Sequence, residues 1–576
     1  MTRFAIWMLL LTSQLIAAEK PNVILIMTDD QGFGDVRSHG NKKIDTPTLD
    51  RLASQGARLD RFFVCPVCAP TRASLLTGRY HFRTGVSWVT RGLETMRSEE
   101  TTLAEVFKAN QYHTGCFGKW HNGAHYPEHP NGQGFDEFVG FCAGHWNNYF
   151  DTGLERNGKE IKMKGYITDV LTDEALGFIR EHQKKSFFCY VPYNAPHSPW
   201  QVPDRYFQKY KKRGLDDKTA CAYGMVENID DNINRILKTL DQLKLTDNTI
   251  VIFLTDNGPN SNRYNAGMKG RKGSVHEGGV RVPCFIRWPG QIRAGTTISQ
   301  ISAHIDLLPT LVSLCDLKKP KTLPLDGISV ASLLLGKTTK LPDRYIFTPR
   351  SRAGKPGSVR SQQYRLVLMP KRVELYDMAK DPGQQKNIAK KHPQIAKRMK
   401  SAFETWYRDA IKGFRGRPVI QIGHEQRPSV TLPAHEAYLK GSVKYKGRMG
   451  WANDWITNWV GTDDQVWWEL EVVKSGKYEI EIHYTTSKEN VGSEVQVSVG
   501  TSKVKATVEK AHNPKPIPSP DRVDRGEVYE KRWGKLYLGT VTLQKGRQKL
   551  TIQALTKAGK QVMDLKAVRL SRKSPK

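Results

Sequence analysis

Asn22-Val23-Ile24-Leu25-Ile26-Met27-Thr28 is an unbroken apolar run closed by Asp29-Asp30. A strand with one wet face alternates apolar and polar residues. A run without alternation suits a strand buried on both faces, with functional groups at its carboxyl end. Similar runs follow at His113–Phe117, Phe187–Val191 and Thr249–Thr255. Helical stretches lie between them at Asp169–Glu181 and Lys218–Lys244, and Thr46-Pro47 reads as a helix start. Strands alternating with helices predict an α/β domain, with a mostly parallel sheet and helices on both faces. The chemically equipped residues sit where the runs end: Asp29-Asp30, Lys119–His121, His197 and Asp256-Asn257. Ligands of such sheets bind at carboxyl ends of strands, so these segments are expected to converge.

Between the first two runs lies Cys68-Ala69-Pro70-Thr71-Arg72, followed by Ala73-Ser74-Leu75-Leu76-Thr77-Gly78-Arg79. It resembles the sulfatase signature C-x-P-[ST]-R-x-x-L-x-T-G. The resemblance continues through Asp29–Asp35, Gly118-Lys119-Trp120-His121, Asn194–Pro199, Val251–Gly258, Gly270–Ser274 and Glu277–Pro283. It extends to Glu374-Leu375-Tyr376-Asp377 with Asp381-Pro382, and so covers roughly Pro21 to Ala410. A motif gains weight when its context agrees, and here several segments agree in order. Membership of that family implies an alkaline-phosphatase-like α/β fold and a formylglycine made from Cys68 by a formylglycine-generating or equivalent maturation enzyme. It also implies a divalent metal held by Asp29, Asp30, Asp256 and Asn257 together with position 68. An oxygen-only donor set suits Ca²⁺, with Mg²⁺ as the alternative, rather than zinc. By the same resemblance Arg72 holds the nucleophile, and Lys119 and Lys272 neutralise the sulfate. His197 protonates the leaving alcohol and His121 takes the proton that releases sulfate. Two positions depart from the usual pattern: Thr71 stands where Ser is commoner, and Asn122 replaces Leu after His121.

The 576 residues carry a formal charge of +32, with both halves basic. Such a protein is drawn to polyanions. No zinc-finger spacing or RNP-like run is present, which argues against nucleic acid. Arg3, the apolar run Phe4–Leu11 and Ile16-Ala17-Ala18 read as a signal peptide over residues 1–18, hence a periplasmic or secreted protein. No later segment is long and apolar enough to suggest a membrane span. All eight cysteines precede residue 316, and with Cys68 converted seven would remain, an odd number that argues against full pairing.

Residues 19–343 are expected to form the catalytic domain and 344–418 a small subdomain with short antiparallel strands and a basic helix. Residues 419–429 are expected to form a linker, and 430–576 an all-β sandwich resembling carbohydrate-binding modules. Strands are predicted at Trp467–Val473, Lys477–Tyr484, Glu494–Val499, Leu536–Leu543 and Gln548–Ala554, with a proline-bearing loop over about 505–535. His145, Trp146, Asn147 and Asn148, with Trp200, are candidate sugar contacts. Trp451, Trp455, Trp459, Trp467 and Trp468 could include stacking residues. The function expected is hydrolysis of sulfate esters on a sulfated polysaccharide or oligosaccharide. The alternatives are a phosphonate monoester or phosphodiester hydrolase of the same superfamily, and a non-catalytic polysaccharide-binding protein.

Overall fold

The computed structural model describes residues 20–573. The expected signal segment and cleavage site at 1–18 fall outside that range. Asn22–Thr28 is central in a ten-stranded sheet, pairing in parallel with Phe187–Pro192 on one side and Thr249–Thr255 on the other. His113–Lys119 and Glu137–Phe141 extend the sheet in parallel, and Cys284–Arg287 adds an antiparallel strand. The unbroken apolar pattern follows from double burial. Val23, Leu25 and Met27 face helices Cys68–Thr77 and Leu103–Ala109, while Ile24 and Ile26 face Ile167–Glu181 and Asp217–Gln242.

A four-stranded antiparallel meander, Ile346–Pro349, Gly357–Arg360, Tyr364–Leu368 and Val373–Asp377, packs against helix Pro393–Ala410 through Leu366, Leu368, Met399 and Phe403. Buried polar links tie it to the larger domain. Arg365 Nε donates to Glu277 at 2.8 Å, and His276 Nε2 lies 2.7 Å from Glu374.

The C-terminal region is two sheets over one core that includes Trp459, Trp468, Ile480, Val497, Ile552 and Leu570. The segment expected as a bare linker is more than that. Ile420–Ile422 pairs in parallel with Gln465–Val472, so the sandwich begins before residue 430. Ser502–Thr507 is an edge strand, and the irregular stretch begins only after it. All eight cysteines are buried and unpaired. No helix among the described residues is long and apolar enough to cross a membrane.

Candidate active site

Thr28 pairs with Thr255, so Asp29-Asp30 and Asp256-Asn257 leave adjacent strands at the same level. Asp256 N donates to Thr28 O at 3.1 Å, and Asp30 N donates to Asp256 Oδ1 at 3.1 Å. Asn257 Nδ2 donates to Asp30 Oδ1 at 2.7 Å. Asp30 holds this position with φ +67°, a left-handed conformation that non-glycine residues seldom adopt and that tends to persist at functional sites.

Cys68 opens helix Cys68–Thr77, where unsatisfied N–H groups and the helix dipole favour an anion. Ligand atoms of Asp29, Cys68 and Asp256 lie within 4.8 Å of one another. Two side chains fasten this turn to the strand ends. Thr71 Oγ1 donates to Asp256 O at 2.7 Å and accepts from Cys65 N at 3.0 Å. The hydroxyl shared by Thr and Ser is therefore what this position uses. Asn122 Nδ2 donates to Ala69 O at 3.1 Å and to Glu94 O at 3.3 Å. The departure from Leu thus adds a polar brace, which the motif alone did not reveal.

Three buried or largely buried cations surround the carboxylates. Arg72 donates to Asp256 Oδ2 through Nη2 at 2.9 Å and to Lys119 O through Nη1 at 2.7 Å. Lys119 Nζ donates to Asp29 Oδ2, and Lys272 Nζ lies 2.7 Å from Asp30 Oδ1. Burial pushes the Asp29 and Asp30 carboxyls up, but the cations outweigh it, chiefly Lys119 for Asp29 and Lys272 for Asp30, and both groups end below their usual range. Asp256 goes the other way. Burial, with Asp29 adding, pushes it up to about 7.

Asp29 Oδ1 and Asn257 Oδ1 are buried without a hydrogen-bond partner. A buried acceptor left unpaired costs about 1–3 kcal/mol. Orphaned oxygens among three carboxylates fit a hard divalent cation, which would satisfy them and relieve Asp256 of its crowding.

His197 Nε2 lies 3.6 Å from Asp30 Oδ2, while Nδ1 faces Ser198 O at 2.6 Å and so carries the hydrogen there. Burial, reinforced by Lys272, lowers this ring to about 4. His121 Nε2 lies 2.9 Å from Val89 O, and its Nδ1 is buried without a partner. Burial and then Lys119 hold its pKa well below the ordinary value, so the ring is neutral.

A cavity of about 370 Å³ opens over Cys68, Asp30, His197 and Lys272. Of the expected sugar contacts, His145 and Trp200 line it. Trp146 turns away, stacking on Phe141 at 4.7 Å and donating from Nε1 to Thr152 Oγ1 at 2.8 Å. It borders a separate cavity of about 760 Å³ at the junction with the sandwich. Asn147 is an anchor, its Oδ1 accepting from Arg525 Nη1 at 3.1 Å and Glu530 N at 3.2 Å. Asn148 does not border the active-site cavity. Among the tryptophans, Trp459 and Trp468 are core, Trp467 stacks on Tyr438 at 5.5 Å, and Trp455 donates to Asp564. Only Trp451 of these five lines the cavity. Lys218, Arg350, Asp524, Arg525 and Glu527 also line it, and no motif in the sequence announces them.

Residues 21–317 match the family described as Sulfatase, and residues 271–409 match that described as N-sulphoglucosamine sulphohydrolase, C-terminal. The chain is 33% identical over 369 residues to N-acetylgalactosamine-6-sulfatase of Canis lupus familiaris, covering 58% of this chain and 69% of that one. It is 33% identical over 393 residues to arylsulfatase A of Bos taurus, covering 60% and 73%. The crystal structure of Ps i-CgsB in complex with k-i-k-neocarrahexaose matches with TM-score 0.65 and 30% identity, covering 69% of this chain and 95% of that chain. Neither family match extends past residue 409, so the sandwich lies outside both.

Proposed function

The chain belongs to the sulfatase family and is a sulfuric ester hydrolase, and from that premise we propose that it desulfates a sulfated polysaccharide or its oligosaccharides through a formylglycine at position 68. The carrying observation is the convergence on Cys68 of Asp29, Asp30, Asp256 and Asn257 with Arg72, Lys119 and Lys272. The +32 charge supports an anionic polymer as substrate. The name N-acetylgalactosamine-6-sulfatase, borne by one relative, supports a sulfated sugar, and the neighbour solved in complex with k-i-k-neocarrahexaose supports an oligosaccharide. The N-terminal apolar run supports work in the periplasm or outside the cell.

Burial pushes the Cys68 thiol up to about 11, which makes an unmodified cysteine a poor nucleophile here. Conversion replaces it with a hydrated aldehyde bearing two hydroxyls. One attacks sulfur as the bond from sulfur to the leaving oxygen breaks. The second loses its proton as the carbonyl re-forms and sulfate departs. Held by Asp29, Asp30, Asp256 and Asn257, Ca²⁺ or Mg²⁺ supplies positive charge that favours the deprotonated nucleophile and offsets charge on sulfate.

The remaining roles fall to this chain's side chains. Arg72 locks Asp256 and the Lys119 carbonyl, fixing the floor under position 68. Lys119 and Lys272 are preorganised for the sulfate oxygens by their bonds to Asp29 and Asp30. His197 stands at the cavity wall and gives the leaving alcohol its proton from Nε2. An anionic ester beside it opposes Lys272 and favours the protonated ring. His121, neutral and with an orphan Nδ1, accepts the proton of the second hydroxyl.

The test is release of inorganic sulfate from sulfated saccharides by the matured protein, set against phosphate diesters and phosphonate monoesters. The expected result is a kcat/KM at least about 10²-fold higher for the sulfate esters. A preference for phosphonates or phosphodiesters overturns the substrate assignment. Glycan binding without turnover, in protein with formylglycine and metal both verified, overturns catalysis.

A further inference from the structure

We propose that the C-terminal sandwich completes a sugar-binding subsite beside the reaction centre: its Trp451 is the stacking wall and its Glu527 the hydroxyl acceptor, while Arg350 and Lys218 of the preceding domains form the station for a second anionic group on the same glycan. This rests on the sulfatase reading above; Trp451 and Glu527 lie beyond the matched family segments, while Lys218 and Arg350 lie within them.

Glu527 comes from the irregular stretch between Ser502–Thr507 and Gly534–Leu543. Its Oε1 accepts from Ser198 Oγ at 3.0 Å and lies 3.1 Å from His145 Nδ1. Ser198 adjoins His197, so this carboxylate sits one residue from the proposed acid. Burial raises the Glu527 carboxyl, but the contact with His145 outweighs it and keeps the group ionised. Its Oε2 has no hydrogen-bond partner among the described residues, which leaves an acceptor for a sugar hydroxyl.

The surrounding segment is held rigidly. Arg525 pairs with Asp521 at 2.7 Å and donates to Asn147 O at 2.8 Å. Gln201 Nε2 donates to Asp521 Oδ1 at 2.7 Å, and Arg522 N donates to Trp200 O at 2.8 Å. A wall fixed in this way costs little ordering entropy when ligand binds.

Trp451 packs partly against the α/β core, and its ring centre lies 4.9 Å from that of His145. Asp454 fixes its turn by accepting from Trp451 N at 3.0 Å. A half-exposed indole beside a carboxylate acceptor suits a pyranose ring, which offers an apolar face and a hydroxyl edge. Among the cations lining this cavity, Lys272 is committed to Asp30 and Arg525 to Asp521. Arg350 and Lys218 make no ion pair among the described residues. The ligand class that uses Trp451, Glu527, Arg350 and Lys218 together is a sugar bearing a second sulfate or a carboxylate.

The test uses full-length protein with its metal. Binding of sulfated disaccharides carrying one or two anionic groups is measured by calorimetry on the Cys68→Ser variant, and turnover on matured protein. Trp451→Ala and Glu527→Gln, each added to both backgrounds, are expected to raise Kd about ten- to a hundredfold, with the kinetic loss falling mainly in KM. Arg350→Gln is expected to erode the preference for the doubly charged disaccharide. Glu527→Gln is near-isosteric and carries the test if Trp451→Ala fails to fold. Unchanged Kd and KM overturn the subsite. Binding that depends on Trp451 and Glu527 without turnover by matured wild-type protein would reject the hydrolase reading while upholding the subsite.

Discussion

Asp29, Asp30, Asp256 and Asn257 meet because two adjacent strands end in register, with Thr28 opposite Thr255. Glu527 meets Ser198 through a contact that spans 329 positions and depends on how a second domain docks. The first arrangement is dictated by hydrogen bonds of a buried sheet, and each of these side chains follows directly from an apolar run. The second depends on an irregular segment whose placement only the tertiary structure supplies. The difference implies a division of labour. In the function and subsite proposed above, the sheet ends carry reaction chemistry and the sandwich segment carries recognition.

The largest test of that division is at position 68. Cys68→Ala removes the nucleophile, and kcat is expected to fall about 10⁴-fold or more on every sulfate ester, large or small. A loss confined to glycans would break the comparison, because it would give Cys68 a recognition role. Next is His197→Ala. Loss of the acid is expected to cost about 10²–10⁴-fold in kcat on sugar sulfates, and much less on aryl sulfates, whose leaving groups depart without a proton. Equal losses on both would remove His197 from that role.

Thr71→Val sharpens the account of how the nucleophile turn is held. Valine keeps the shape but deletes the donor to Asp256 O, so stability is expected to fall by about 1–3 kcal/mol in denaturant melts and kcat to fall with it. Thr71→Ser is expected to restore both. The smallest effect lies at the seam between the two regions. Burial, with Glu436 of the sandwich adding, pushes the Glu94 carboxyl up to about 8 from an ordinary 4.5. The unfolded chain then loses this proton first, so the contribution to stability declines as pH rises from about 4.5 to about 8 and is flat above. Glu94→Gln is expected to raise the melting temperature at pH 8, by about 2–4 °C for each kcal/mol recovered, and to match wild type at pH 4.5. No difference at pH 8 would mean that the seam leaves Glu94 solvated.

The same contrast explains what the sequence disclosed. Asn22–Thr28 and Thr249–Thr255 were legible because burial on both faces leaves no polar residue inside the run. The sulfatase-like segments then located Cys68, Arg72, Lys119, His121, His197 and Lys272 around them. Ser502–Thr507 was not legible as a strand, since an edge strand carrying Lys503 and Lys505 has little apolar signal. Gly357–Arg360 carries little strand signal in the sequence, because it is four residues long and buries an arginine. His145–Asn148 reads as one sugar-contacting run, yet its members diverge: His145 faces the cavity, Trp146 a neighbouring one, and Asn147 anchors Arg525. Consecutive loop residues share no periodicity that would say which way each one points. Glu527 carries no local mark at all, because its partners lie in the other domain.

The most direct measurement is a peptide mass spectrum across Phe62–Arg72, on protein made in a host that matures sulfatases, paired with a sulfate-release assay on the same sample. Cys65 lies in the same peptide and serves as the unmodified control. Exchange of sulfur for oxygen, with loss of two hydrogens, is expected at Cys68 alone, with activity that tracks the converted fraction. Full sulfate-ester turnover by protein whose Cys68 is wholly unmodified would contradict it.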